Sequence, residues 1–503
     1  MARVKGALLV AGTGSDVGKS AVVQGLCRWL RRSGVRVAPF KAQNMSLNSY
    51  VTRDGAEIAR AQAAQAFAAG VEPEAAMNPV LLKPVDDRRA QVIVMGKAVG
   101  DAEAEEYMDL RPRLTGIVRN AFEDLRARVD VVVCEGAGSL AEINLREGDL
   151  PNMGLAGAAG LPVVIVGDID RGGVFASLYG SVELLDDTDR ALIAGFIINR
   201  FRGRFSILEP GLAMIETLTR LPVFGVLPWI GGLWTDAEDA VPTRSIARAA
   251  QPPLGRDTLD VAVVALRRMS NFTDADAIAC EPGVSVRFTR SFGDIVRADL
   301  VIVPGTKATV DDLAALRADG LDAALSERVR RGAPILGVCG GYQMLGTRIV
   351  DRIESGAGEI EGLGLLPVET IFEPDKVLAR PNGKAPAFGN AAVEGYEIHH
   401  GRVRRLAGDP LFHTGKGDEG CRAGVTTGTS WHGVFESDGF RAAFLAWVAA
   451  ERGLDWTPGE VRFDDVRNAA ADTLADAIEA HLDTEGLLRV IERGAVPLPS
   501  ARG

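Results

Sequence analysis

The sequence predicts two α/β domains in tandem: a doubly wound domain around a phosphate-binding loop, then a domain built around a reactive cysteine. Three observations carry this. An apolar run at 7–11 leads into Gly12-Thr-Gly-Ser-Asp-Val-Gly18-Lys19-Ser20 and then into a helix-compatible segment. Short Val/Ile/Leu-rich runs alternate with helical segments on both sides of an aperiodic Pro/Arg/Gly stretch, the pattern of parallel strands covered on both faces. Finally, Ile335-Leu-Gly-Val-Cys339-Gly-Gly-Tyr-Gln-Met-Leu places one thiol at the end of an apolar strand, directly before two glycines and a helix. That is a nucleophile elbow.

In the first domain, strands are expected at 7–11, 35–40, 129–134, 162–167, 192–199 and 223–228, with helices at 19–33 and 56–69. Each strand is nearly continuous in Val, Ile and Leu. Residues 241–258 read as a linker. A second α/β pattern follows, with strands at 259–265, 300–304 and 335–338, and charged helices at 465–482 and 484–493. The expected domains are therefore 1–240, 259–450 and a helical extension, 451–503, that packs on the second domain or mediates assembly.

The bulk numbers exclude several classes. Net charge is −11 without a basic block, which argues against nucleic acid as a partner. The five cysteines are scattered and form no C-x-x-C pair, so neither a disulfide framework nor a zinc site is indicated, and a reducing cytoplasm is expected. The N-terminal apolar run is short and leads straight into the loop, as a first strand does and a signal peptide does not. No stretch approaches the ~20 apolar residues that span a bilayer. The oligomeric state is left open.

A Gly-rich loop between strand and helix, ending in Gly-Lys-Ser, forms an anion cradle from backbone N–H groups and the helix N-terminus. Lys19 is expected to reach the terminal phosphates of ATP, and Ser20 to ligate Mg²⁺. Glu135 ends another strand, Val129-Asp-Val-Val-Val-Cys-Glu135; an acid there holds Mg²⁺ in P-loop ATPases. The alternatives are a Gly-rich turn with an exposed lysine and an ordinary strand-end acid. Polar residues also crowd the segments after strands, where open α/β sheets bind ligands. Lys41, Asn44, Asp54, Glu57 and Asp149 are candidates there for substrate, phosphate or Mg²⁺.

The loop glycine falls at Gly12, one position earlier than in the strict pattern, with Thr13 in its place. This resembles the variant loop of dethiobiotin synthetase and its relatives. The resemblance implies nucleotide contacts at Gly12, Thr13, Asp16, Val17, Gly18, Lys19 and Ser20, and adenine recognition by Asn199.

A thiol nucleophile needs a base. Of the five histidines, His432 follows a β-prone run and precedes a glycine in Gly428-Thr-Ser-Trp-His432-Gly-Val-Phe-Glu436. It is the preferred candidate over His399, which could instead orient substrate. The alternative is that each is a structural residue. The run around Cys339, with Gln343 four residues on, resembles class I glutamine amidotransferases, which are flavodoxin-like and release ammonia from glutamine through a cysteinyl thioester. Pro304-Gly-Thr-Lys-Ala-Thr309 resembles their oxyanion loop. The resemblance implies oxyanion donors at Gly305 and Gly340 and a glutamine contact at Gln343. One position departs from it. Val434 stands where most members carry the third triad residue, so a Cys339–His432 dyad is expected, with Glu436 outside the family geometry.

Further segments narrow the family: Pro39-Phe-Lys-Ala-Gln-Asn-Met-Ser-Leu-Asn-Ser49, Met77-Asn-Pro-Val-Leu-Leu-Lys-Pro84, Gln91-Val-Ile-Val-Met-Gly-Lys97, Asp168-Ile-Asp-Arg-Gly-Gly-Val-Phe175, Ser270-Asn-Phe-Thr-Asp274 and Gly395-Tyr-Glu-Ile-His399. As a set these resemble the cobyric acid synthase family. Ala308 stands where that family usually has Asn. The resemblance implies ATP- and glutamine-dependent amidation of four peripheral carboxylates of adenosylcobyrinic acid a,c-diamide through acyl phosphates, with the corrinoid as substrate rather than cofactor. The other readings are a related amidotransferase (cobyrinic acid a,c-diamide synthase, or one acting on a lipid-linked cell-wall precursor) and a non-enzymatic P-loop regulator with a degenerate glutaminase module.

Overall fold

The computed structural model describes residues 4–232 and 251–495, so most of the expected linker, 241–250, lies outside the described residues. The chain forms two compact units. One comprises 4–46, 56–232 and 468–495, the other 47–55 and 251–467.

The first unit is organised on a six-stranded parallel sheet. Its spatial order is Val223–Pro228, Ile193–Phe201, Val163–Asp168, Gly6–Gly12, Val131–Glu135, Val37–Phe40. Alternate side chains of one strand enter opposite cores. Ala7, Leu9 and Ala11 join one cluster, Leu8 and Val10 the other. Both faces are therefore covered, which is why these strands read as unbroken apolar runs. The second cluster includes Ala475, Ile478, Leu487, Val490 and Ile491 from the last two helices, Phe463–His481 and Thr484–Arg493, and Leu482 between them. Arg28 holds Asp472 with two hydrogen bonds of 2.7 and 2.8 Å.

The expected extension, 451–503, is thus divided: residues up to Arg467 group with the second unit and the described ones from Asn468 with the first. The charged, helical character of this segment did not show which sheet receives the apolar stripe of Ile478, Leu487, Val490 and Ile491. Each large aliphatic side chain of that stripe contributes about 1.5–3 kcal/mol by leaving water. A smaller sheet, Gln43–Met45, Val80–Pro84, Arg89–Val94 and Lys97–Glu103, completes this unit.

The second unit has its own six-stranded sheet, ordered Val284–Thr289, Leu259–Val264, Leu300–Val303, Ile335–Val338, Thr426–Thr429, Cys421–Ala423. All neighbours are parallel except the last pair. Three adjacent parallel strands end at Val303, Val338 and Thr429. The segments holding Gly305, Cys339 and His432 thus emerge side by side at the carboxyl edge of the sheet, where open α/β folds bind ligands.

Candidate active site

Cys339 has φ 50° and ψ −109°, a conformation that non-glycine residues avoid. The structure around it is built to hold that strain. Its N–H donates to Thr429 O at 2.8 Å, and its carbonyl accepts from Gln343 N at 3.0 Å. A Cβ on Gly341 would lie 1.9 Å from Val303 O, and one on Gly340 would lie 2.7 Å from Thr306 Cγ2 and 3.0 Å from Thr306 N. Helix and oxyanion loop approach so closely that neither position admits a side chain. The helix Gly340–Leu345 begins at the thiol, and the first N–H groups of a helix have no partner within it.

His432 is buried and close enough to Cys339 for the two to interact electrostatically, and the Cys339 Sγ–H donates to Ile398 O at 3.9 Å. Its Nδ1 lies 2.7 Å from Asp274 Oδ2, and the Gly433 N–H donates to Asp274 Oδ1 at 2.8 Å. Asp274 sits on a short 3₁₀ turn, Phe272–Ala275, entered through Asn271 at φ 51°. With Nδ1–H donating to the carboxylate, Nε2 is the nitrogen available to the thiol. Burial pulls the His432 pKa down, but the Asp274 carboxylate and then the Cys339 charge outweigh it and raise the pKa to about 10. The imidazolium form is therefore favoured.

The expected dyad is thus corrected. His432 has a carboxylate partner, though not at Val434. Glu436 is engaged by Arg467 at 2.7 Å. Sequence reasoning missed the role of Asp274 because it lies 158 residues away; the segment Ser270–Asp274 had been marked only as part of a family resemblance.

On the oxyanion loop, Gly305 O accepts from Ser270 N at 2.9 Å. A Cβ on Gly305 would lie 2.7 Å from His432 Cε1. Thr306 Oγ1 donates to Asp312 at 2.5 Å and accepts from Ala308 N at 3.1 Å, so the loop is tied down without an Asn at 308. Gln343 is buried, with Oε1 accepting from Thr309 Oγ1 at 3.3 Å. His399 is occupied by Gly401 O at 2.8 Å and Glu397 at 3.4 Å. Glu419, not anticipated, accepts from Ser430 N at 2.7 Å and Thr429 Oγ1 at 2.8 Å. It fixes the strand end that leads to His432.

In the first unit, Glu135 is fully buried and is the centre of a polar cluster. Its Oε1 accepts from Ser20 Oγ and Lys41 Nζ, both at 2.8 Å, and Oε2 from Gln65 Nε2 at 2.5 Å. Lys19 Nζ spans the loop, donating to Gly14 O at 2.8 Å and Gly138 O at 3.0 Å. Gly12 O accepts from Leu140 N at 3.1 Å, and Thr13 N donates to Val166 O at 3.0 Å. Val17 is buried in the core, while Asp16, at φ 58°, is ion-paired with Arg171 and Arg200.

Several candidates are occupied in ways the sequence did not indicate. Asn199 Nδ2 donates to Val17 O at 3.0 Å, and a Cβ on Gly18 would lie 2.1 Å from it. Asn199 therefore braces the loop from behind, where adenine contact had been expected. Asn44 donates to Gln62 at 2.9 Å. Glu57 is in a buried 2.7 Å ion pair with Lys83. Asp149 accepts from Asn152 N and Gly154 N at 3.2 and 2.8 Å and so caps a helix. Burial raises its pKa against those bonds. Asp54 accepts from Thr52 at 2.5 Å and belongs to the segment 47–55 of the second unit.

The donor set fits Mg²⁺. Ser20 Oγ and Glu135 Oε1 are hard oxygens 2.8 Å apart, about the spacing of neighbouring ligands on an octahedral ion with 2.0–2.1 Å bonds. Among the described residues no cluster of three or more His, Cys, Asp or Glu could hold a metal, and Mg²⁺ typically takes one or two protein ligands plus phosphates. Among the same residues no helix is long and apolar enough to cross a membrane.

Residues 8–242 match the CobQ/CobB/MinD/ParA nucleotide binding domain, and residues 260–440 match the CobB/CobQ-like glutamine amidotransferase domain. The chain is 53% identical to a cobyric acid synthase of Frankia casuarinae, covering 98% of each chain. It is 54% identical to one of Streptomyces coelicolor, covering 98% of this chain and 97% of that one. A third, from Mycolicibacterium paratuberculosis, is 51% identical over 99% of this chain and 98% of its own. With both halves matched in order and identity sustained over the whole length, the chain belongs to the cobyric acid synthase family.

Proposed function

We propose that this protein is a cytoplasmic enzyme of cobalamin biosynthesis that amidates four peripheral carboxylates of adenosylcobyrinic acid a,c-diamide, using ATP and glutamine. The observation that carries the reading is the His432–Asp274 pair, at the same sheet edge as the strained Cys339 turn, in one unit of a polypeptide whose other unit holds a P-loop with Lys19, Ser20 and Glu135.

In the glutaminase, the Cys339 thiolate attacks the side-chain carboxamide carbon of glutamine. Gly305 N–H and Gly340 N–H donate to the oxyanion. The imidazolium of His432 gives its proton to the departing nitrogen, and ammonia leaves with a γ-glutamyl thioester behind it. Water then attacks the thioester, His432 takes its proton, the thiolate departs and glutamate is released. Asp274 holds the Nδ1–H throughout and stabilises the imidazolium. Gln343 shapes the glutamine pocket.

In the other unit, a substrate carboxylate oxygen attacks the γ-phosphorus of ATP, and ADP leaves. The product is an acyl phosphate, which turns a poor oxide leaving group into phosphate. Ammonia attacks its acyl carbon, phosphate departs and a proton is lost, giving the amide. Gly12, Thr13 and Gly18 let the backbone wrap the phosphates, and Lys19 neutralises charge on them. Ser20 and Glu135 would hold Mg²⁺, which when bound supplies Lewis-acid stabilisation of the phosphates. Lys41 offsets the Glu135 charge.

The reading of a degenerate glutaminase rested on Val434, and the Asp274 carboxylate removes that basis. Mass spectrometry of the corrinoid products with glutamine and ATP tests the substrate, by the stepwise change from carboxylate to carboxamide. Cys339→Ala should abolish glutamine-driven amidation and keep that driven by added ammonia. Loss of both together would refute the division into two sites.

A further inference from the structure

Residues 47–55 group with the second unit, although the residues on either side of them, up to Ser46 and from Ala56, belong to the first. The glutaminase is therefore not a single stretch of sequence. Its outlying piece touches both supports of His432. Ser49 N donates to Asn271 Oδ1 at 2.7 Å, a buried bond, and Asn271 opens the turn that carries Asp274. The Tyr50 ring packs on Tyr396, with centroids 5.6 Å apart at 55°. Tyr396 in turn stacks on His432 at 5.5 Å and 26° and exchanges both backbone hydrogen bonds with it, at 2.8 and 3.0 Å. Arg380 lies over the other surroundings of Tyr50, its Cζ 5.3 Å from the ring centroid. Ser49, Tyr50 and Val51 are all buried, so this is a packed strand and not a passing loop.

We infer that Ser49 and Tyr50 are positioning residues of the glutaminase, supplied by the amide-forming half of the sequence. Tyr50 holds Tyr396 flat against the His432 ring, and Ser49 anchors the turn that aims Asp274 at Nδ1. The imidazole is thus clamped from its face and from its Nδ1 edge by groups that lean on Tyr50 and on Ser49 respectively. The inference rests on the reading that Cys339 and His432 hydrolyse glutamine.

The test uses the full chain, with ATP, corrinoid and either glutamine or ammonium salt. Tyr50→Ala should lower kcat for glutamate release about 10- to 100-fold, the usual cost of a small misplacement of a reacting group. KM for glutamine should change little, ammonia-driven amidation should stay at the wild-type rate, and Tyr50→Phe, which keeps the ring, should restore kcat. Asn271→Gly keeps the left-handed backbone accessible while removing the acceptor of Ser49, and should give the same split. If Tyr50→Ala does not fold, Asn271→Gly decides by the same criteria. A wild-type glutaminase kcat in these variants, or equal loss with glutamine and ammonia in a folded variant, overturns the inference. Glutamate release that survives Cys339→Ala would instead overturn the glutaminase reading itself.

Discussion

Asp274 and His432, 158 residues apart, meet at 2.7 Å between Oδ2 and Nδ1, and the second carboxylate oxygen is fixed by the Gly433 N–H at 2.8 Å. Two bonds to one carboxylate set its plane as well as its distance. An imidazole so held has one tautomer and one orientation, with Nε2 left for the thiol. The carboxylate comes from the turn after the strand Leu259–Val264 and not from the position two residues beyond the histidine.

Asp274→Asn tests this directly. The amide keeps the shape but cannot bear charge, and its NH₂ favours the wrong tautomer of His432. Glutamate release should fall about 10²- to 10⁴-fold. Ammonia-driven amidation in the same preparation should be unchanged, since nothing in the P-loop unit depends on that bond.

The same pair makes stability depend on pH. The folded-state pKa of His432 is raised from 6.5 to about 10. A raised histidine contributes stability that is fully present below its unfolded pKa and is lost as pH rises through its folded pKa. The window is therefore pH 6.5 to about 10. Glu419, raised from 4.5 to about 8 chiefly by burial, adds a decline of its own over that lower range, because the folded state holds its proton longer. Denaturation of wild type and Asp274→Asn across the window isolates the histidine. The difference between them should be largest near neutrality and shrink toward pH 10.

The parallel cores were legible because a strand buried on both faces leaves a run of Val, Ile and Leu, and because the Gly-Lys-Ser and Cys-Gly-Gly turns mark strand ends. The thiol, its histidine and the phosphate loop were legible for that reason. Asp274 was not, since a carboxylate on a turn looks the same whether it faces water or an imidazole. Nor was the exchange of segments between units. Nothing in the run 47–55 or in the charged helical spacing after Asn468 says which sheet receives it. The bond from Asn199 to Val17 O was not legible either, because strand-end position alone does not say that Gly18 leaves room for it.

Lys41 and Glu135 form an ion pair with 2% and 0% of their side chains exposed. Lys41→Met would leave a buried carboxylate without its cation, at a cost of about 3–5 kcal/mol. Its melting temperature should drop, and amidation should fail with glutamine and with ammonia alike. Lys41→Met combined with Glu135→Gln removes both charges. That pair should recover much of the lost stability and none of the activity, which separates the structural role of the pair from its chemical one.

Gly305→Ala probes a close approach to the His432 ring. The added Cβ would lie 2.7 Å from His432 Cε1 and 3.1 Å from Ser270 O. The backbone on one side cannot yield, because Ser270 N already holds Gly305 O at 2.9 Å, and Thr306, next along, is tied to Asp312. The imidazole cannot yield either without breaking its Asp274 bond or its stack on Tyr396. Displacement therefore falls on the alignment of His432 with Cys339, or on the Gly305 N–H proposed as an oxyanion donor. Either costs rate rather than fold, so glutamate release should drop about 10²-fold or more at nearly unchanged melting temperature, with ammonia-driven amidation intact. Wild-type glutaminase activity in this variant would mean that the loop around Gly305 does not enclose the reacting carbonyl.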